Sequence, residues 1–85
     1  ITLGDGTHLV VGEAGALEQC TVTGAGNITV HGRFFEEASP GIVGPRQLVV
    51  TATGTVEGTV QQGSAPTHFA FEPGCRLRMR ILKAK

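Results

Sequence analysis

The chain has no Trp and no Tyr among its 85 residues, only two Cys and one Met, and just 16% charged residues. Windows of apolar residues at three-to-four spacing free of Gly are missing too, and the one short helical candidate, 36–39, runs straight into Pro40. A helical domain is therefore excluded as the main architecture. No stretch approaches the roughly 18 apolar residues of a membrane-spanning helix, and no signal peptide is visible. Seven basic and seven acidic residues leave the formal net charge at zero, which removes the global electrostatic argument for nucleic-acid binding. Cys20 and Cys75 stand 55 positions apart (20 to 75), outside any CxxC or Cys/His cluster. That spacing favours reduced thiols in a cytosolic setting over a disulfide framework, while leaving their pairing open. A chain that opens on Ile1 reads as the core of a longer protein.

What the chain does have is 13 Gly and ten Thr, set among Val, Ile and Leu, a composition suited to short strands and tight turns. Its apolar residues alternate. In 22–30 (Val22-Thr23-Gly24-Ala25-Gly26-Asn27-Ile28-Thr29-Val30) and 50–60 (Val50-Thr51-Ala52-Thr53-Gly54-Thr55-Val56-Glu57-Gly58-Thr59-Val60), even positions carry Val, Ile, Ala or Gly. The odd positions are mostly Thr, Asn or Glu. This is the two-residue period of strands with one buried face. Ile1, Leu3, Leu9 and Val11 share a parity near the start, with Gly4-Asp5-Gly6 as a turn. Near Gln19 the inward parity shifts by one, as at a corner or bulge. The final unit places Phe69, Phe71, Cys75, Leu77, Met79 and Ile81 on one side and His68, Glu72, Arg76, Arg78 and Arg80 on the other.

Two all-β architectures compete for this pattern. A sandwich or barrel of hairpins calls for Asn-Gly or Asp-Gly turns, and only Asp5-Gly6 fits. A parallel β-helix calls for uniform short strands and inward aliphatics stacked from coil to coil, which the two quoted segments supply. The 20 residues between Gly54 and Gly74 are about one coil of three short strands, so a single domain spanning 1–85 is expected to hold about four to five coils. The segment 33–46, with two Pro and two Gly, breaks the alternation and reads as an inserted loop whose Phe34 and Phe35 fold back over the stack.

Gly26-Asn27-Ile28-Thr29-Val30-His31-Gly32, together with the Val56-Glu57-Gly58-Thr59-Val60 string, resembles the Gly-x-Val/Ile-x-Gly phrasing of the bactofilins. The likeness covers about residues 20 to 81, the insert excepted. It implies a compact right-handed β-helix, a bacterial cytoskeletal role, and end-to-end polymerisation into filaments without a nucleotide or other cofactor. It further implies a cytoplasmic protein, associated with the inner membrane surface or with cell-wall enzymes through tails outside this core; separately, the neutral charge balance leaves no nucleic-acid partner expected. In that family an aromatic of the last coil contributes to assembly, which points to Phe69 or Phe71 without choosing between them. Hexapeptide-repeat transferases share similar phrases, so a trimeric transferase or metal enzyme fragment is an alternative; a β-helical segment of a trimeric fibre is another.

The ends of a β-helix leave unpaired backbone edges and an apolar cross-section. The candidate polymerisation residues are therefore Phe69, Phe71, Leu77, Met79, Ile81 and Leu82 at one end and Ile1, Leu3, Leu9 and Val11 at the other, against the alternative that all are ordinary core. Arg76, Arg78 and Arg80 alternate with apolar residues, spacing three guanidinium groups about 6.5 to 7 Å apart on one face. With Lys83, that row is a candidate contact for an anionic partner or membrane, or a guard against uncontrolled edge pairing. No aromatic stands between the arginines to stack single-stranded bases. His8, His31 and His68 lack metal-ligand spacing and a nearby carboxylate, and read as surface residues. Ser39 and Ser64 lack a GxSxG context, Gly4-Asp5-Gly6 is followed by no Lys or helix, and Glu36 and Glu37 read as solvated. Neither a catalytic residue nor a metal ligand is expected.

Overall fold

A computed structural model describes residues 1–18, 20–36, 41–63 and 67–82. Ten strands and no helix are found there: β1 (His8–Val11), β2 (Ala16–Glu18), β3 (Val22–Thr23), β4 (Asn27–Val30), β5 (Arg33–Phe35), β6 (Ile42–Val43), β7 (Gln47–Val50), β8 (Thr55–Gln61), β9 (His68–Phe71) and β10 (Arg76–Leu82). All pairings are parallel. One sheet runs β1-β4-β7-β9; the other runs β2-β5-β8-β6-β3, with β10 on the free side of β8. Neighbours in space are thus one coil apart in sequence, the arrangement of a right-handed parallel β-helix.

Successive strands of the first sheet begin at His8, Asn27, Gln47 and His68, spacings of 19, 20 and 21 residues. The repeat is the 20 residues expected, but the solenoid makes about three turns, not four to five. The lead-in before β1 completes no turn of its own and joins the second sheet only through a parallel bridge between Thr2 and Thr23.

The register stacks like on like. Leu9, Ile28, Leu48 and Phe69 form one inward column of the first sheet, and Val11, Val30, Val50 and Phe71 the next. In the second sheet Leu17, Phe34, Val56 and Leu77 form a third column, and Val22, Ile42, Val60 and Ile81 a fourth. The middle coils are sealed: Val30, Leu48 and Val50 are 0% exposed. Columns of branched aliphatics on parallel strands give each side chain a similar neighbour above and below, so the core forms only when coils stack.

The segment expected to be an inserted loop is largely part of the coil. Arg33–Phe35 and Ile42–Val43 are strands paired to β8, and Phe34 is a buried core residue, while Phe35 faces outward. The residues between them, 37–40, lie outside the described residues, as does Gln19, but the expected shift of inward parity is present on either side of it, from odd at Leu17 to even at Val22. In the next coil the same two strands fuse into the seven-residue β8 through Gly58, whose φ is +133°. A Cβ there would lie 2.6 Å from the carbonyl oxygen of Glu36, so only glycine lets β8 bend past the coil beneath it. Glu36 is accordingly buried, not solvated as expected, because Gly41 and Gly58 on either side leave it room.

Candidate functional site

The last coil is where the stacking stops. β9 pairs only with β7 and β10 only with β8, so among the described residues their far edges have no strand partner. Their inward side chains occupy the same columns as the sealed core but lack a coil above. Phe71 is 39% exposed where Val50 below it is 0%, and Ile81 is 41% exposed where Val60 is 1%. Phe69, Cys75, Leu77 and Met79 are half-buried against the core, and Leu82 is exposed beside Ile81. The Phe69 and Phe71 rings lie 5.7 Å apart between centroids, tilted by 38°, and pair as an aromatic contact at this end.

The first coil is covered in part. Ile1 is exposed and Leu9 half-buried, whereas Leu3 and Val11 are buried within the chain itself. Leu3 folds over Gly24 and Gly26; a Cβ on Gly26 would stand 2.7 Å from the Leu3 Cβ. Its N–H donates to the Thr23 carbonyl at 2.7 Å, extending the second sheet by a short edge. Leu17, which heads the third column, is half-buried and joins this end. Its parity with Leu9 and Val11 is the sequence signal that places it there.

The arginines form the outward side of β10. Arg76, Arg78 and Arg80 are exposed, and their cross-strand neighbours on β8 are Thr55, Glu57 and Thr59. Arg33 joins them from two strands away through the Arg33–Thr55–Arg76 register, a juxtaposition separated by 43 residues of sequence (33 to 76). Arg33 also stands 5.8 Å from the centre of the Phe35 ring and 4.0 Å from Glu18, the ion pair being solvent-exposed and worth little. Lys83 lies outside the described residues.

The histidines are placed apart. His8 Nε2 and the Thr29 hydroxyl are 2.7 Å apart in a hydrogen bond, and His31 Nδ1 and the Thr51 hydroxyl 3.0 Å apart in another. His68 is exposed on β9. Among the described residues no three His, Cys, Asp or Glu side chains gather as a metal-binding group. Ser39, Ser64 and Glu37 lie outside the described residues. Cys20 and Cys75 are free and half-buried, one in the first coil and one in the last. Among the described residues no helix is long and apolar enough to cross a membrane.

The chemistry this arrangement offers is association: two ends able to add strands, and one basic flank. Comparison with protein-family models, curated proteins and solved structures finds no match to this chain.

Proposed function

We propose that the chain is a non-enzymatic, self-assembling scaffold whose coils stack within a subunit and whose ends stack between subunits, extending a cytoplasmic, cofactor-free filament of the bactofilin kind. The observation that carries this reading is the uncovered last coil, in which residues of sealed columns stand open at Phe71, Ile81 and Leu82. A second copy supplies what a further coil of the same chain would: backbone partners for β9 and β10 and an apolar surface for their side chains. Burying that surface contributes about 25 cal/mol per Å², and the ladder bonds give direction. An end-to-end contact that does not close on itself generates a fibre. The phrase likeness to bactofilins supports the same reading. So does the modest size, since a domain of this length buries only about 60 to 65% of its unfolded surface and gains stability from assembly.

Sedimentation velocity over a range of concentrations tests it. The expected result is a broad, concentration-dependent population of large species, displaced to monomer by Phe71→Arg. Discrete trimers would replace the scaffold with the closed-trimer alternative, and a monomer at every concentration would overturn it.

A further inference from the structure

Charge is unevenly divided between the two sheets. The strands of the first sheet, His8–Val11, Asn27–Val30, Gln47–Val50 and His68–Phe71, contain no Asp, Glu, Lys or Arg at all. Those of the second carry four arginines, Arg33, Arg76, Arg78 and Arg80, against two acids, Glu18 and Glu57. A molecule neutral overall therefore presents one basic flank and one whose strands carry no Asp, Glu, Lys or Arg.

The basic flank is shaped. Arg33 and Arg76 stand on either side of Thr55, two ladder steps or about 9.5 to 10 Å apart, and Arg78 follows Arg76 by about 6.5 to 7 Å along the strand. Together with Glu57 they line a concavity floored by Thr55. Among the described residues Arg76, Arg78 and Arg80 make no ion pair; only Arg33, with Glu18, and Arg46, with Asp5 elsewhere, do. The apolar ring of Phe35 lies on the same flank, and Ile81 and Leu82 are exposed where the row ends. Guanidinium groups beside a hydroxyl, bordered by an aromatic and two aliphatics, make a surface for phosphate esters at an apolar boundary.

We infer that the outward flank of β5, β8 and β10 docks on an anionic phospholipid surface, its phosphates held by Arg33, Arg76 and Arg78 around Thr55. Glu57 decides between lipid and other polyanions. It sits inside the arginine cluster, where a duplex or a fixed acidic peptide would be forced to place a charge against it. Headgroups in a fluid bilayer move laterally, gather at the guanidiniums and leave Glu57 clear. Stacked bases find no free platform either, since Arg33 already lies over the Phe35 ring. The docking needs one subunit only; repetition along an assembly multiplies it by effective concentration.

Vesicle flotation through a density gradient, in which free assemblies sink, tests the inference, using phosphatidylcholine vesicles with and without a minority of phosphatidylglycerol. The wild-type chain is expected to float with the anionic vesicles only and to be released as salt screens the surface. The triple variant R33Q/R76Q/R78Q is expected to bind on the order of a hundredfold more weakly, by about fivefold per arginine, with its circular dichroism unchanged. Equal flotation with neutral vesicles, or no loss in the triple variant, would overturn it. So would tighter binding to a single-stranded oligonucleotide, to polyglutamate or to inorganic phosphate than to the anionic vesicles. A variant that also disperses the assembly is measured again as monomer, since a bound monomer separates this docking from stacking.

Discussion

Phe71 lies directly beside Val50 in the parallel register of the first sheet, yet Val50 is fully enclosed and Phe71 is 39% exposed. One coil of further structure is all that separates the two environments. Phe71→Arg should therefore leave the fold nearly intact, with a change in unfolding free energy below about 1 kcal/mol, because the ring buries only part of its surface in the monomer. Assembly should suffer far more. A charge placed in a desolvated contact raises the concentration needed for association by at least about tenfold, measured by light scattering across a dilution series. Phe69→Arg, in the neighbouring column and half-buried, should do the same with a larger loss of stability.

Phe34 and Phe35 are adjacent in sequence and opposite in fate. Phe34 fills the third column at 2% exposure, whereas Phe35 faces outward beneath Arg33. Phe34→Ala should cost about 3 to 5 kcal/mol, a large share of the stability available to a domain of this size, and Phe35→Ala about 1 kcal/mol or less. Urea denaturation of the two variants reads the difference directly. Near-equal losses would mean that the third column is wrongly placed.

That pair also marks the limit of what alternation along the chain makes legible. The alternation in Asn27–Val30 and Gln47–Val50, and the 20-residue spacing of the coils, were legible because four-residue strands repeat their inward parity. The segment 33–46 was not, since β5 and β6 hold only three and two residues and no period is visible at that length. Their identity as strands rests on pairing with β8, a relation between distant residues. For the same reason Arg76, Arg78 and Arg80 could be read as a row, while Arg33 joined them only through the register. The burial of Glu36 depended on two glycines, Gly41 and Gly58, that approach it from different coils. The uncovered end was legible in outline from Phe69 to Ile81, but which N-terminal residues remain accessible was not, because Leu3 is folded over Gly24 and Gly26.

Gly58→Ala is expected to destabilise the chain by about 2 kcal/mol or more, since it adds a Cβ against the Glu36 carbonyl and forces a side chain into positive φ. Thermal unfolding checks this. Gly12→Ala is the comparison, since a Cβ there meets nothing within 4 Å and no positive φ opposes it.

Cys20 and Cys75 belong to the first and last coils, separated by three ladder steps of about 4.8 Å each. Their Cα atoms are thus about twice as far apart as a disulfide can span. Oxidation of the monomer should leave both thiols titratable in denaturant and produce no faster-migrating species on a non-reducing gel. An intramolecular disulfide formed without unfolding would contradict the stacking order of the coils.

Negative-stain electron microscopy of the purified wild-type chain tests whether another copy completes the open coil at β9 and β10. Unbranched filaments are expected, formed without nucleotide and absent from Phe71→Arg under the same conditions. Isolated particles of single-subunit size at high concentration, or filaments that persist unchanged in Phe71→Arg, would contradict it.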